Sequence, residues 1–168
     1  MRRAILVCIL LLGSAVGAAA DPVVILVRHA ERADAGSPAA SMMAADPDLS
    51  AGGRARADAL ARILKDAGIT AIFTTELKRT RQTAGPLARA LAIQPTVIPA
   101  DHSTDLLKVL QKASGTVLVV GHSNTVPELI AALGVKQQVA IADDEYDNLF
   151  VVVRDDQPTL LRLRYSSP

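Results

Sequence analysis

The apolar residues of this chain fall into two rhythms that alternate along its length. Unbroken runs rich in β-branched residues occupy positions 23–27, 69–73, 96–98 and 116–120. Runs this short and continuous read as strands buried on both faces, the pattern of a mainly parallel sheet. Between them the spacing becomes helical: Ala57, Leu60, Ala61 and Leu64, then Ala84, Leu87, Ala88 and Leu91, then Leu106, Val109, Leu110 and Ala113. Each set keeps the stripe of a helix laid on a sheet. Ser50 is placed to cap the first helix, and Gly68 and Gly115 to stop the first and third. A fourth helix is expected over about 125–133, closed by Gly134. Pro86 falls inside the second stripe, so that helix is expected either to begin late or to kink there.

Two further strands are predicted at 149–153 and 159–165, joined by Asp155-Asp156-Gln157-Pro158. In the last one Leu161, Leu163 and Tyr165 alternate with Arg162 and Arg164, the pattern of a half-exposed edge strand. The stretch 33–48, rich in Ala, Ser, Gly, Pro and Asp, has no period and reads as a long loop in which Met42 and Met43 pack. Strand and helix alternating four times, with right-handed crossovers, predict a three-layer α/β/α sandwich.

The N-terminus is of another kind. Arg2 and Arg3 precede an apolar run from Ala4 to Leu12, and Ala18-Ala19-Ala20 offers small residues ahead of Asp21. This is the layout of a cleaved secretory signal peptide over residues 1–20, too short for a membrane span of about 20 apolar residues. Its removal takes away Cys8, the single cysteine, and leaves one domain, residues 21–168. A periplasmic or secreted protein without disulfides is the expectation. Removal also takes Arg2 and Arg3, moving the net charge from +1 to −1. With that charge, no basic run and only Phe73, Tyr146, Phe150 and Tyr165 as aromatics, the composition argues against a nucleic-acid partner.

Three predicted strand ends carry unusual residues: Arg28-His29 after the first strand, Arg79 after the second, and Gly121-His122-Ser123-Asn124 after the fourth. In a parallel sheet those ends share one edge, where ligands bind. Guanidinium forks complement phosphate oxygens, and an imidazole can act as a nucleophile. No set of His, Cys and acidic residues has zinc-like spacing, so neither a metal nor a cofactor is expected. Glu31 reads as an orienting partner for Arg28 or Arg32, and His102 and Lys78 as surface residues.

Three segments together carry a resemblance. Val27-Arg28-His29-Ala30-Glu31 resembles the first signature of the histidine phosphatase, or phosphoglycerate mutase-like, superfamily. Thr75-x-Leu77-x-Arg79-x-x-Gln82-Thr83-Ala84 is similar to its second, and Val119-Val120-Gly121-His122-Ser123 to its third. The resemblance implies a mixed, mainly parallel six-stranded sheet with the fifth strand antiparallel. It also implies that His29 attacks phosphorus and becomes a phosphohistidine, and that Arg28 and Arg79 hold the phosphoryl oxygens. His122 and the Ser123 end of the following helix would donate to them, and Arg32 would join as a further phosphate ligand. Ala30 stands where the family keeps glycine. No Arg-x-x-Glu-x-x-Gly segment follows the third strand, which weakens a mutase reading and leaves the proton donor open between Glu76 and Asp101.

The function implied is a metal-independent phosphomonoester hydrolase acting on a small phosphorylated substrate outside the cytoplasm. Two alternatives stand beside it. One is a phosphohistidine protein phosphatase, against which export argues. The other is a non-catalytic binder of a phosphorylated glycan or lipopolysaccharide, for which two intact histidines would be superfluous.

Overall fold

The computed structural model describes residues 22–34 and 46–166. The expected signal peptide, Met42 and Met43 lie outside the described residues. Elements follow in the order β1 (Val23–Arg28), α1 (Ala51–Leu64), β2 (Ile69–Thr74), α2 (Lys78–Leu91), β3 (Thr96–Val97), α3 (Ser103–Lys112), β4 (Thr116–Gly121), α4 (Thr125–Ala132), β5 (Asn148–Val153) and β6 (Thr159–Arg164). The strands form one sheet ordered β3-β2-β4-β1-β5-β6. β1, β2, β3 and β4 run parallel, and β5 lies antiparallel to both β1 and β6. This is the mixed six-stranded α/β sheet that the sequence pattern and the resemblance anticipate.

The three layers follow from alternation along each strand. In β1, Val24 and Leu26 face Leu110 of α3 and Val126, Leu129 and Ile130 of α4. Ile25 and Val27 face Leu60 and Leu64 of α1 and Ala84, Leu87 and Ala88 of α2. Side chains that alternate across a pleat thus fill two cores, one on each face. No helix among the described residues is long and apolar enough to cross a membrane.

Local details explain where the helices begin. The Ser50 side chain accepts from Gly53 N at 2.9 Å, the expected N-cap of α1. α2 differs from expectation: it starts at Lys78, well before Pro86, and does not begin late. Leu77 at its N-cap gives no side-chain hydrogen bond, but the Asp46 carboxylate accepts from Lys78 N at 2.8 and 2.9 Å. An acid from a distant loop therefore caps the helix and opposes its dipole. Pro86 is tolerated within it beside Gly85, which has no Cβ to meet the proline ring. At the far edge, β6 turns Leu161 and Leu163 outward at 54% and 45% exposure, while Tyr165 beyond its end is buried.

Candidate active site

The C-terminal ends of β1, β2 and β4 lie side by side, because β4 pairs with both other strands: Arg28 stands opposite Gly121, and Thr74 opposite Val120. The residues just past those ends therefore meet. A cleft of about 390 Å³ opens there, lined by Arg28, His29, Arg32, Arg79, His122 and Ser123 together with Leu77, Ala100, Asn124, Thr125 and Asp143. That is the size of a small-ligand site. A larger groove of about 780 Å³ runs between α1 and α2, but it carries Arg54, Lys78, Arg81 and Arg89 and no histidine.

His29 and His122 face each other across the cleft floor with ring centroids 5.4 Å apart. His29 Nδ1 lies 2.8 Å from the Ala30 carbonyl oxygen. A carbonyl only accepts, so Nδ1 carries the proton and Nε2 keeps a free lone pair. Burial pushes the His29 pKa down to about 3, against the effect of the Ala30 carbonyl and with His122, Arg79 and Arg28 adding to the fall. His122 is likewise pushed down to about 4, first by burial and then by Arg79. Both rings are neutral near pH 7. His122 Nε2 sits 3.2 Å from the Thr75 hydroxyl, which continues to Thr80 at 3.0 Å. The backbone of His122 donates to Thr125 Oγ1 at 3.0 Å, so α4 begins tied to the ring it presents.

Arg28 is buried and Arg79 half-buried, and the two are held differently. Arg28 Nη1 donates to the carbonyls of Ala142, Asp143 and Glu145 at 2.9, 2.9 and 3.1 Å. Arg79 Nη1 lies 3.9 Å from Asp46, and burial lowers the pKa of this guanidinium. Arg28 Nε and Arg79 Nε are buried with no partner among the described residues. Unsatisfied buried donors are costly and uncommon in proteins, and both belong to arginines that line the cleft.

The other expected residues take varied places. Arg32 lines the cleft while bound in a two-pronged ion pair to Asp34, at 2.8 and 2.5 Å. Ser123 stands at the start of α4 beside His122. Glu76 follows β2 as expected, but its carboxylate accepts from Ala100 N at 2.9 Å and is exposed. It lies within electrostatic range of both His122 and Arg79. Neither Glu76 nor Asp101 lines the cleft, and the Asp101 side chain is 84% exposed beside His102. Glu31 is a correction: its partner is Arg56 of α1, with contacts of 2.6 to 3.0 Å, and not Arg28 or Arg32. An α1 arginine far along the chain reaches it because α1 packs directly behind the residues that follow β1.

Sequence reasoning missed the residues that hold this frame. Thr83 Oγ1 accepts from Ala30 N at 2.9 Å and donates to the Arg79 carbonyl at 2.7 Å, joining the first two motifs. Gln82 accepts from Leu49 N and donates to Asp48, fixing the segment that leads into α1. The spacing of Gln82 and Thr83 behind Arg79 was a visible signal, but not of a bracing role.

The family model of the histidine phosphatase superfamily (branch 1) matches residues 24–101, from β1 through the loop after β3. Over that stretch, a little under half of the 168 residues, the chain is similar to the histidine phosphatase superfamily. By class it is a phosphatase. Solved structures of similar fold include the protein histidine phosphatase SixA with tungstate, 18% identical, covering 84% of this chain and 96% of that one with a TM-score of 0.64. A mycobacterial glucosyl-3-phosphoglycerate phosphatase with inorganic phosphate is 17% identical, covering 86% and 98% with a TM-score of 0.66. At these identities the likeness is one of fold. No curated protein sequence matches the chain.

Proposed function

We propose that the protein is an exported phosphomonoester hydrolase that works without a metal through a phosphohistidine on His29. The observation that carries this reading is the free Nε2 of a neutral, buried His29 in one cleft with two arginines, Arg28 and Arg79, whose Nε donors have no partner among the described residues. The phosphoryl group is held by Arg28, Arg79, Arg32 and the Ser123 end of α4. His29 Nε2 attacks phosphorus in line, forming the N–P bond as the P–O bond to the leaving group breaks. Arginines and the neutral His122 N–H stabilise the charge gathering on the equatorial oxygens. Glu76 is the proposed acid that protonates the leaving oxygen, after which the same carboxylate deprotonates water. That water attacks phosphorus, the N–P bond breaks, and inorganic phosphate leaves with His29 restored.

That the proteins of similar fold were solved with phosphate and tungstate supports an oxyanion site here. The protein histidine phosphatase among them supports, as a second reading, a phosphohistidine side chain as substrate. Rapid quench of the enzyme during turnover of p-nitrophenyl phosphate decides the mechanism. The expected product is an acid-labile, base-stable phosphoryl group on His29, absent in His29→Ala. Phosphate recovered on a serine or an aspartate would overturn the assignment.

A further inference from the structure

The loop between α4 and β5 contributes something to the cleft that the three motifs do not. Its carbonyls at Ala142, Asp143 and Glu145 grip one end of Arg28, and Tyr146 closes over the other. The Tyr146 ring lies 4.0 Å beneath the Arg28 guanidinium carbon, and its centroid is 6.0 Å from the His29 imidazole. Arg28 Nη2 donates to the Tyr146 hydroxyl oxygen at 3.3 Å. An arginine has no acceptor to return, so the hydroxyl hydrogen is not used in this contact. No acceptor for it stands among the described residues. The loop is itself anchored. Glu145 accepts from Ala142 N at 3.0 Å and pairs with Arg164 of β6 at 2.6 Å, and these contacts hold its carboxyl down to about 2. Tyr146 is thus held against Arg28, its ring centroid 6.0 Å from that of His29 and its hydroxyl hydrogen unused among the described residues.

We propose that Tyr146 is a substrate-positioning residue of the phosphate site: its ring fixes the Arg28 guanidinium, and its hydroxyl donates to a bound phosphoryl oxygen. The inference rests on the oxyanion site proposed above and adds a residue to it. A neutral donor here holds the phosphoryl group in line with His29 Nε2 in ground and transition state alike. Its loss should therefore appear mainly in binding. A hydrogen bond to a charged acceptor corresponds to about a 10- to 100-fold change in affinity.

The chain contains no tryptophan and two tyrosines, of which Tyr165 is buried in the core and outside the cleft lining, so a phosphate-dependent change in tyrosine emission that Tyr146→Phe removes is assigned to Tyr146. Titration of the full protein with inorganic phosphate should change that emission, and Tyr146→Phe should abolish the change. Tyr146→Phe should also weaken phosphate binding and raise KM for p-nitrophenyl phosphate roughly 10-fold or more, with kcat held within about threefold. Tyr146→Leu, which removes the ring as well, should lower kcat too, as Arg28 loses its seat. Thermal unfolding of each variant checks that the fold persists. A Tyr146→Phe protein that folds, binds phosphate and turns over like the parent overturns the proposal. If the parent binds phosphate and Arg79→Ala abolishes that binding, the site reading survives such a result. A parent that binds no phosphate overturns both.

Discussion

His29 and His122 are ordinary histidines made unusual by burial, and the consequence is testable through pH. An unfolded chain takes up protons on both imidazoles near the unperturbed pKa of ~6.5, whereas the native rings resist protonation until about 3 and about 4. Between those limits the unfolded state binds more protons, so native stability falls as the solution is acidified. From pH 7 to pH 4.5 the loss should be about 2–3 kcal/mol per histidine, read by denaturant unfolding. The double variant His29→Gln, His122→Gln should show a flatter profile; an unchanged slope would assign the acid sensitivity elsewhere. Single replacements His122→Ala and Arg79→Ala should each cost about 10²-fold or more in kcat, the scale of one transition-state donor. The proton donor is tested by leaving group, since an alkoxide needs a proton where a p-nitrophenolate does not. General acid catalysis is typically worth ~10²–10⁴-fold, so Glu76→Gln should slow alkyl phosphates far more than p-nitrophenyl phosphate. Equal slowing would make Glu76 a positioning residue, and a selective loss in Asp101→Asn or Asp143→Asn would move the role to that carboxylate. Asp143 enters this comparison because, of the described residues lining the cleft, it is the one bearing a carboxyl group.

At the scale of elements, the site depends on how closely α1 and α2 approach the turn after β1. A Cβ built on Gly53, in the first turn of α1, would stand 2.2 Å from the Glu31 carbonyl oxygen, a backbone atom that cannot swing aside. Gly53→Ala should therefore push the turn that carries His29, destabilising the fold by about 1–3 kcal/mol, the usual cost of overpacking. It should also lower kcat without touching a residue that meets substrate; unchanged melting and turnover would show the contact to be soft. No helical stripe announces this contact, because a glycine has no side chain to join a pattern. The strands were legible for the opposite reason: β1, β2 and β4 are buried on both faces over most of their length, and those positions are mainly apolar. The start of α2 was not. Its first turn carries Lys78, Arg79 and Arg81, whose charge is unfavourable at the positive end of the helix dipole, and the compensating Asp46 lies 32 residues upstream. Local pattern reads stripes well and long-range capping not at all. The Glu31–Arg56 pair escaped notice for the same reason, being set by helix packing and not by neighbours in sequence.

Across the whole molecule, charge is placed where the proposed chemistry uses it. The chain is close to neutral, yet Arg28, Arg32 and Arg79 converge on one cleft with two neutral histidines. The convergence was foreseeable from the strand ends, because parallel strands deliver the residues after β1, β2 and β4 to one edge whatever their separation in sequence. Which arginines would be occupied was not: Arg32 is paired with Asp34, while Arg28 and Arg79 each keep an Nε without a partner among the described residues. A divalent cation assisting phosphoryl transfer would neutralise the oxygens that the proposed site leaves to Arg28 and Arg79, and on that proposal the two guanidiniums take its place. Turnover is therefore expected to survive excess chelator. The export proposal, which rests on the Arg2-Arg3 start, the apolar run and Ala18-Ala19-Ala20, predicts cleavage ahead of Asp21 in protein recovered from outside the cytoplasm. Its N-terminus should read from at or near Asp21, and its kcat with chelator should match that without. An intact Met1 in the membrane fraction would sink the export reading. Activity lost to chelator and restored by zinc or magnesium would mean that the arginines position the phosphoryl group without carrying the charge of its transfer.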